Sequence, residues 1–297
     1  MSALLKKALA HPGLCRKDRL KLRLGALLHP GATRRWLQYI HAEPLLAQAC
    51  CPRLLTKAFR PYLRNSLRCR ERVDTLINHY DTLGALGLLP LASAAARQPQ
   101  LLHAGLSKSG LPFSLELNAI HDGHREGELC LRLRLDGVSL FGISFVLQQR
   151  DGRLHMLVGR LQGESGESAR EQVRVATKEF HACRPATLLV TAARQLARVL
   201  GCESVRLVCN RERIAINLWR RWRIRADYDQ SWQELGARLG ADGLFELAPV
   251  ALQELDYEQI PSKKRAEARR RSLLLDGIHA GLSARLGWPQ ASFTLAQ

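Results

Sequence analysis

Apolar and polar residues change rhythm twice along this chain. In the first 85 positions they recur at a helical spacing. Leu20, Leu22, Leu24, Leu27 and Leu28 lead to a break at Gly31-Ala32-Thr33, where Thr33 can cap a second helix that carries Trp36 and Ile40 toward Pro44. The same spacing predicts helices over residues 45–50, 52–59 and 60–83. From about residue 110 the period drops to two. Residues 113–120, 128–135, 139–148 and 153–159 each suit a strand, with turn signals at Asp122-Gly123, Asp136-Gly137 and Asp151-Gly152. Connections this short force neighbouring strands antiparallel, so a four-strand meander is predicted.

After Gly163 the helical period returns over residues 167–181 and 185–200, the second with Pro185 in its first turn and Gly201 past its end. Residues 204–210 form a compact apolar strand, residues 214–218 are a candidate for another, and residues 273–286 suit a closing helix. A sheet crossed by helices makes the fold class α+β. The expected organisation is a basic helical region over residues 1–100, followed over 101–297 by an α+β domain with a mainly antiparallel sheet flanked by helices. At 297 residues, 46% hydrophobic and 24% charged, the chain can bury a full core and is not of disordered composition.

Charge sharpens this division. The formal net charge is +18, and the basic and acidic counts are 17 and 5 over residues 1–100, 13 and 10 over 101–200, and 15 and 12 over 201–297. The cationic excess lies in the first third. A patch such as Arg16, Lys17, Arg19, Lys21 and Arg23 suits an anionic membrane surface, with nucleic acid the weaker alternative; a solvated helix face explains it equally simply. The apolar run 83–96 contains Pro90 and falls short of the about 20 residues a membrane span needs. With no secretory pattern at residues 1–12, a cytoplasmic location is expected, peripheral at the inner membrane if the patch binds lipid. Eight cysteines without a Cys-x-x-Cys pair read as reduced, buried residues, the vicinal pair Cys50-Cys51 included.

Residue order identifies a family only toward the C-terminus. The run Asp227-Tyr228-Asp229-Gln230-Ser231-Trp232-Gln233-Glu234 and the later Ile260-Pro261-Ser262-Lys263-Lys264-Arg265-Ala266 resemble two signatures of the VirK/YbjX-like family of bacterial proteins. Arg60-Pro61-Tyr62-Leu63 with His79-Tyr80, and Leu161-Gln162-Gly163 with Arg184-Pro185, resemble two more, so the likeness covers about residues 20–286. Two positions depart from the pattern: Ala186 stands where the family has lysine, and Gly236-Ala237 where it has two glycines. The resemblance implies a role in envelope stress, virulence or resistance to cationic antimicrobial peptides, and it assigns no chemistry.

The predicted meander, turn, helix and further strand also resemble the core of the GCN5-related N-acetyltransferases. In those enzymes a Gln/Arg-x-x-Gly-x-Gly/Ala turn after the fourth strand holds the pyrophosphate of acyl-coenzyme A at a helix N-terminus. Here the turn reads Arg160-Leu161-Gln162-Gly163-Glu164-Ser165-Gly166, so Arg160, Gln162, Gly163 and Ser165 are the candidate cofactor residues. Glu164 and Glu167 place negative charge where phosphate would bind. On this likeness Tyr228 is the candidate acid for a leaving thiolate and Glu128 the candidate base for an amine.

Competing structural readings stand beside each of these. Asp227-Tyr228-Asp229 can line a pocket as a polar cluster, with Arg225 near enough in sequence to pair with a carboxylate; against this, Asp229 or Ser231 can serve as N-cap of a helix whose Tyr228 and Trp232 pack inward. Lys263, Lys264 and Arg265 with Arg269–Arg271 suit a solvated helix face or an anionic ligand. His121-Asp122-Gly123-His124 lacks a third ligand and reads as a hairpin turn, so no metal is expected. No nucleophile elbow, Walker loop or His-Glu-x-x-His occurs. Two functions remain: an accessory factor at the inner-membrane surface, and an acyl-coenzyme A-dependent N-acyltransferase.

Overall fold

The computed structural model describes residues 3–43, 46, 52–119, 125–164, 166, 168–214, 227–250 and 260–286. Basic helices open the chain: α1 (Ala3–Leu9), α2 (Arg16–Leu28) and α3 (Pro30–Ala42). The short α4 (Pro52–Thr56) runs into a 3-10 turn at Lys57–Phe59, and α5 (Cys69–Ala85) and α6 (Leu89–Arg97) lead to the sheet. The strands β1 (Gln100–Leu106), β2 (Pro112–Ala119), β3 (Leu129–Leu135), β4 (Val138–Arg150) and β5 (Arg153–Gly163) form a meander. Then follow α7 (Ala169–Glu179), α8 (Pro185–Val199), β6 (Ser204–Val208), α9 (Tyr228–Glu234), β7 (Arg238–Leu239), β8 (Leu244–Leu247) and α10 (Ser262–Leu286).

The sheet order is β1-β2-β3-β4-β5-β6-β8-β7. Among the described residues only β5 and β6 pair in parallel, in register from His155 opposite Ser204 to Val158 opposite Leu207. The fold is therefore α+β with a mainly antiparallel sheet, as the two periods require. Helices α5 and α8 both pack on β4, and residues 143–147 of that strand are all buried. Five consecutive buried positions mean that both faces of the strand are covered.

Several boundaries differ from the sequence reading. The helix break falls at His29-Pro30, because proline at the first helical position starts α3 without a missing hydrogen bond. Thr33 lies inside that helix, and its hydroxyl donates to the Gly25 and His29 carbonyls at 3.1 and 2.8 Å, tying α3 to α2. Residues 60–68 are not helical. Arg60, before Pro61, is extended, and Leu63 adopts φ 59°, a left-handed conformation costly for leucine. That turn is held by the Leu63 N–H on the Arg125 carbonyl at 2.7 Å.

Strand β1 escapes the period-two pattern because it is an edge strand with a loosely alternating face. β7 and β8 have two and four residues, too few to show a period. α6 is short and rich in alanine, and α10 begins at Ser262, joining the basic run to the closing helix. The candidate helix at 45–50 lies outside the described residues except for Leu46, and the candidate strand at 214–218 except for Ile214.

Candidate functional site

Tyr228 sits where the parallel pair separates. The β5–β6 ladder ends at Val158 and Leu207, but β5 continues to Gly163. On that unpaired stretch the Tyr228 hydroxyl accepts from the Leu161 N–H at 2.9 Å and donates to the Leu161 carbonyl at 2.7 Å. One phenol therefore does the work of a missing strand partner. Burial pushes its pKa up, against the opposing influence of Arg213 and Arg160. The Arg213 guanidinium lies 3.7 Å from the centre of the Tyr228 ring. Replacing Tyr228 by Phe should leave both Leu161 groups without that partner and cost about 1–3 kcal/mol in urea denaturation, with faster hydrogen exchange at the Leu161 amide.

The flanking aspartates fix this tyrosine. Asp227 is the N-cap of α9, accepting from the Gln230 N–H at 3.1 Å, so the helix starts earlier than a cap at Asp229 or Ser231 would place it. Asp229 instead accepts from the backbone N–H of Asn210 at 2.7 Å, while the Asn210 side chain donates to Asp227 at 2.6 Å and accepts from the Tyr228 N–H at 3.0 Å. Trp232, fully buried, donates to the Val208 carbonyl at 3.1 Å. Thus α9 is clamped to the end of β6. Glu234 is exposed and accepts from Gln230. Arg225 lies outside the described residues.

The expected phosphate turn begins as strand. Arg160, Gln162 and Gly163 all belong to β5, opposite Ser144, Gly142 and Phe141, and the Glu164 N–H is spent on the Leu140 carbonyl at 3.2 Å. Arg160 bonds the Gln162 side chain and lies 3.9 Å from Glu126. Of the residues between β5 and α7, Ser165 and Glu167 fall outside the described residues. Tyr228 is bonded to Leu161, the residue after Arg160, and the Arg160 charge is near enough to act on its hydroxyl.

Glu128 lies elsewhere, in a buried cluster. Its side chain has no solvent exposure, and it accepts from Lys57 at 2.5 Å, Tyr62 at 2.8 Å and Tyr80 at 2.6 Å. Burial alone would raise its pKa, but the Lys57 charge and the donors from Lys57 and Tyr80 hold it below the usual carboxylate range. Beside it, the His79 Nδ1 accepts from the Leu147 N–H at 3.0 Å, and its Nε2 is buried without a hydrogen-bond partner. The arrangement reads as an anchor between the N-terminal helices and the sheet, since a solvent-borne amine has no path to so enclosed a carboxylate. Tyr62 and His79-Tyr80 were visible as family-like motifs. Lys57 carried no signal beyond being a charge among apolar neighbours.

Lys263, Lys264 and Arg265 are exposed on the first turn of α10, and Arg265 donates to the Ile260 carbonyl at 3.0 Å. Ala268 is buried, whereas Lys264 one turn earlier stays exposed. Among the described residues no group of three His, Cys, Asp or Glu side chains could hold a metal, and His121 and His124 lie outside them. The described cysteines are free.

A family model described as a protein of unknown function (DUF535) matches residues 15–284. The chain belongs to the DUF535 family. Within it, YbjX of Escherichia coli, itself uncharacterized, is 32% identical over 270 residues, 89% of this chain and 82% of that protein. This agrees with the VirK/YbjX-like resemblance of its motifs. An uncharacterized Haemophilus influenzae protein is 32% identical over 121 residues, covering 41% of this chain and 40% of that one. Membrane protein LapB of Mannheimia haemolytica is 25% identical over 191 residues, 63% of this chain and 80% of that protein. Among solved structures, a cAMP-binding acyltransferase from Mycobacterium smegmatis superposes with a TM-score of 0.30 at 10% identity. The superposition spans 73% of this DUF535 chain and 61% of that enzyme, and a likeness so distant carries no functional argument.

Proposed function

We propose that this DUF535 protein binds an acyl-coenzyme A-type ligand at the open edge of β5 and transfers its acyl group to an amine. The observation that carries this reading is the Leu161 edge. Its N–H and C=O are held by a single hydroxyl at the carboxyl ends of the one parallel strand pair. In open α/β sheets ligands gather at the carboxyl ends of parallel strands, and an amide-bearing ligand that displaces the Tyr228 hydroxyl would take the Leu161 edge by β-augmentation. Arg160 and Arg213 flank that edge with positive charge suited to a pyrophosphate. In the transfer the amine nitrogen attacks the thioester carbonyl, the carbon–sulfur bond breaks, and the proton released by the amine passes to the leaving thiolate; Tyr228, once its hydroxyl leaves the Leu161 carbonyl, is the group at this edge that relays it. Glu164 opposes phosphate at the turn, so the cationic contacts fall to these arginines.

The VirK/YbjX-like resemblance supports reading this activity as one that serves envelope stress, virulence or resistance to antimicrobial peptides. Isothermal calorimetry with acetyl- and longer acyl-coenzyme A tests the reading. Binding should be detected and should weaken about tenfold or more in Arg160→Ala, the loss of a charge-assisted contact. Absence of heat at millimolar ligand would end it.

A further inference from the structure

Helix α2 turns its leucines the wrong way for a buried helix. Leu20, Leu24, Leu27 and Leu28 are 57%, 47%, 76% and 69% exposed, while the inner face is held by Leu22 and Gly25. At 3.6 residues per turn the four exposed leucines share roughly a 100° arc. Arg16, Arg19 and Arg23 border one side of this stripe, and Lys17 and Lys21 the other. Asp18, the acidic residue of the helix, is drawn inward to Arg60 at 2.8 Å and Lys21 at 3.3 Å, so it offsets part of the Lys21 charge and leaves Arg16, Lys17, Arg19 and Arg23 as the outer cations. Exposed Arg34 adds a cation on α3, where the neighbouring Arg35 is paired with Asp74.

We propose that α2 is an interfacial helix that lays this leucine stripe into the head-group region of an anionic lipid surface. An apolar stripe flanked on both sides by cations is the chemistry of such a helix: the leucines enter the acyl boundary and the basic side chains reach anionic head groups. A protein partner of ordinary composition would bring no such excess of negative charge, whereas an anionic bilayer matches both the stripe and the charge of the first hundred residues. With 13 residues, α2 is far too short to span, and no helix among the described residues is long and apolar enough to cross a membrane. The proposal does not depend on acyl-coenzyme A binding, and either can fail alone.

Vesicle flotation of the full chain tests it. The protein should float with vesicles of phosphatidylcholine and phosphatidylglycerol in equal parts, not with pure phosphatidylcholine, and less as salt rises. Leu20→Ser/Leu24→Ser/Leu27→Ser/Leu28→Ser should lower recovery about tenfold or more with the thermal melt unchanged, since these side chains are exposed. Arg19→Gln/Arg23→Gln should retain residual binding with a weaker salt dependence. Three results would overturn the proposal: no flotation, flotation undiminished by the leucine substitutions, or leucine substitutions whose sole effect is to dissociate a dimer in gel filtration.

Discussion

Glu128→Gln is expected to destabilise the protein by about 3–5 kcal/mol, the range for removing one partner of a buried ion pair. The substitution keeps the size of the side chain but leaves the Lys57 ammonium, itself buried, without its counter-charge. It also converts an acceptor of three donors into a group whose amide nitrogen faces other donors. Against a total stability of roughly 5–15 kcal/mol, that loss brings a domain of this size near its unfolding threshold. Lys57→Met should cost a similar amount, because it strands the carboxylate instead. The double variant Lys57→Met/Glu128→Gln should lose clearly less than the sum of the two, since neither stranded charge remains. Urea denaturation followed by circular dichroism gives all three values. Additive losses would mean that the pair does not act as a unit.

This cluster shows what the sequence could and could not display. The strands β2 to β5 and the helices α7 and α8 were legible because period two and period 3.6 persist long enough there to be read. Asp227 and Tyr228 were legible as a motif and as a helix start, because capping is local chemistry. The bond from Tyr228 to Leu161 spans 67 positions, and no local pattern encodes a hydroxyl standing in for a strand. The Glu128 cluster is harder still. Its members come from positions 57, 62, 80 and 128, and although Tyr62 and Tyr80 stood in family-like motifs and Glu128 was a candidate base, nothing local tied them to one another or to Lys57. The inverted face of α2 hid for the opposite reason. A leucine stripe reads as a core face until the buried face of the helix proves to be that of Leu22 and Gly25 on the other side.

Acid should unfold the protein through His79 before it reaches Glu128. His79 is completely buried, and burial pushes its pKa from 6.5 down to about 4, with the nearby Lys57 charge acting in the same direction and Glu128 opposing both. With its Nδ1 accepting from Leu147, the neutral ring carries its proton on an Nε2 that has no partner to stabilise a cation. Below pH 6.5 the unfolded chain takes up a proton that the folded protein refuses until about pH 4. The unfolded state then binds more protons, so stability falls as pH drops through that window, by about 3 kcal/mol in all. Glu128, held below the usual carboxylate range, contributes stability that is present above about pH 4.5 and is lost only at still lower pH. His79→Gln keeps an acceptor for the Leu147 N–H and removes the titration. Urea denaturation between pH 7 and pH 4 should show a shallower decline in this variant than in the wild type. Other histidines with lowered pKa values, His103, His155 and His181, are present in both proteins and cancel in the difference. Parallel declines would show that the buried imidazole is protonated in the folded state after all.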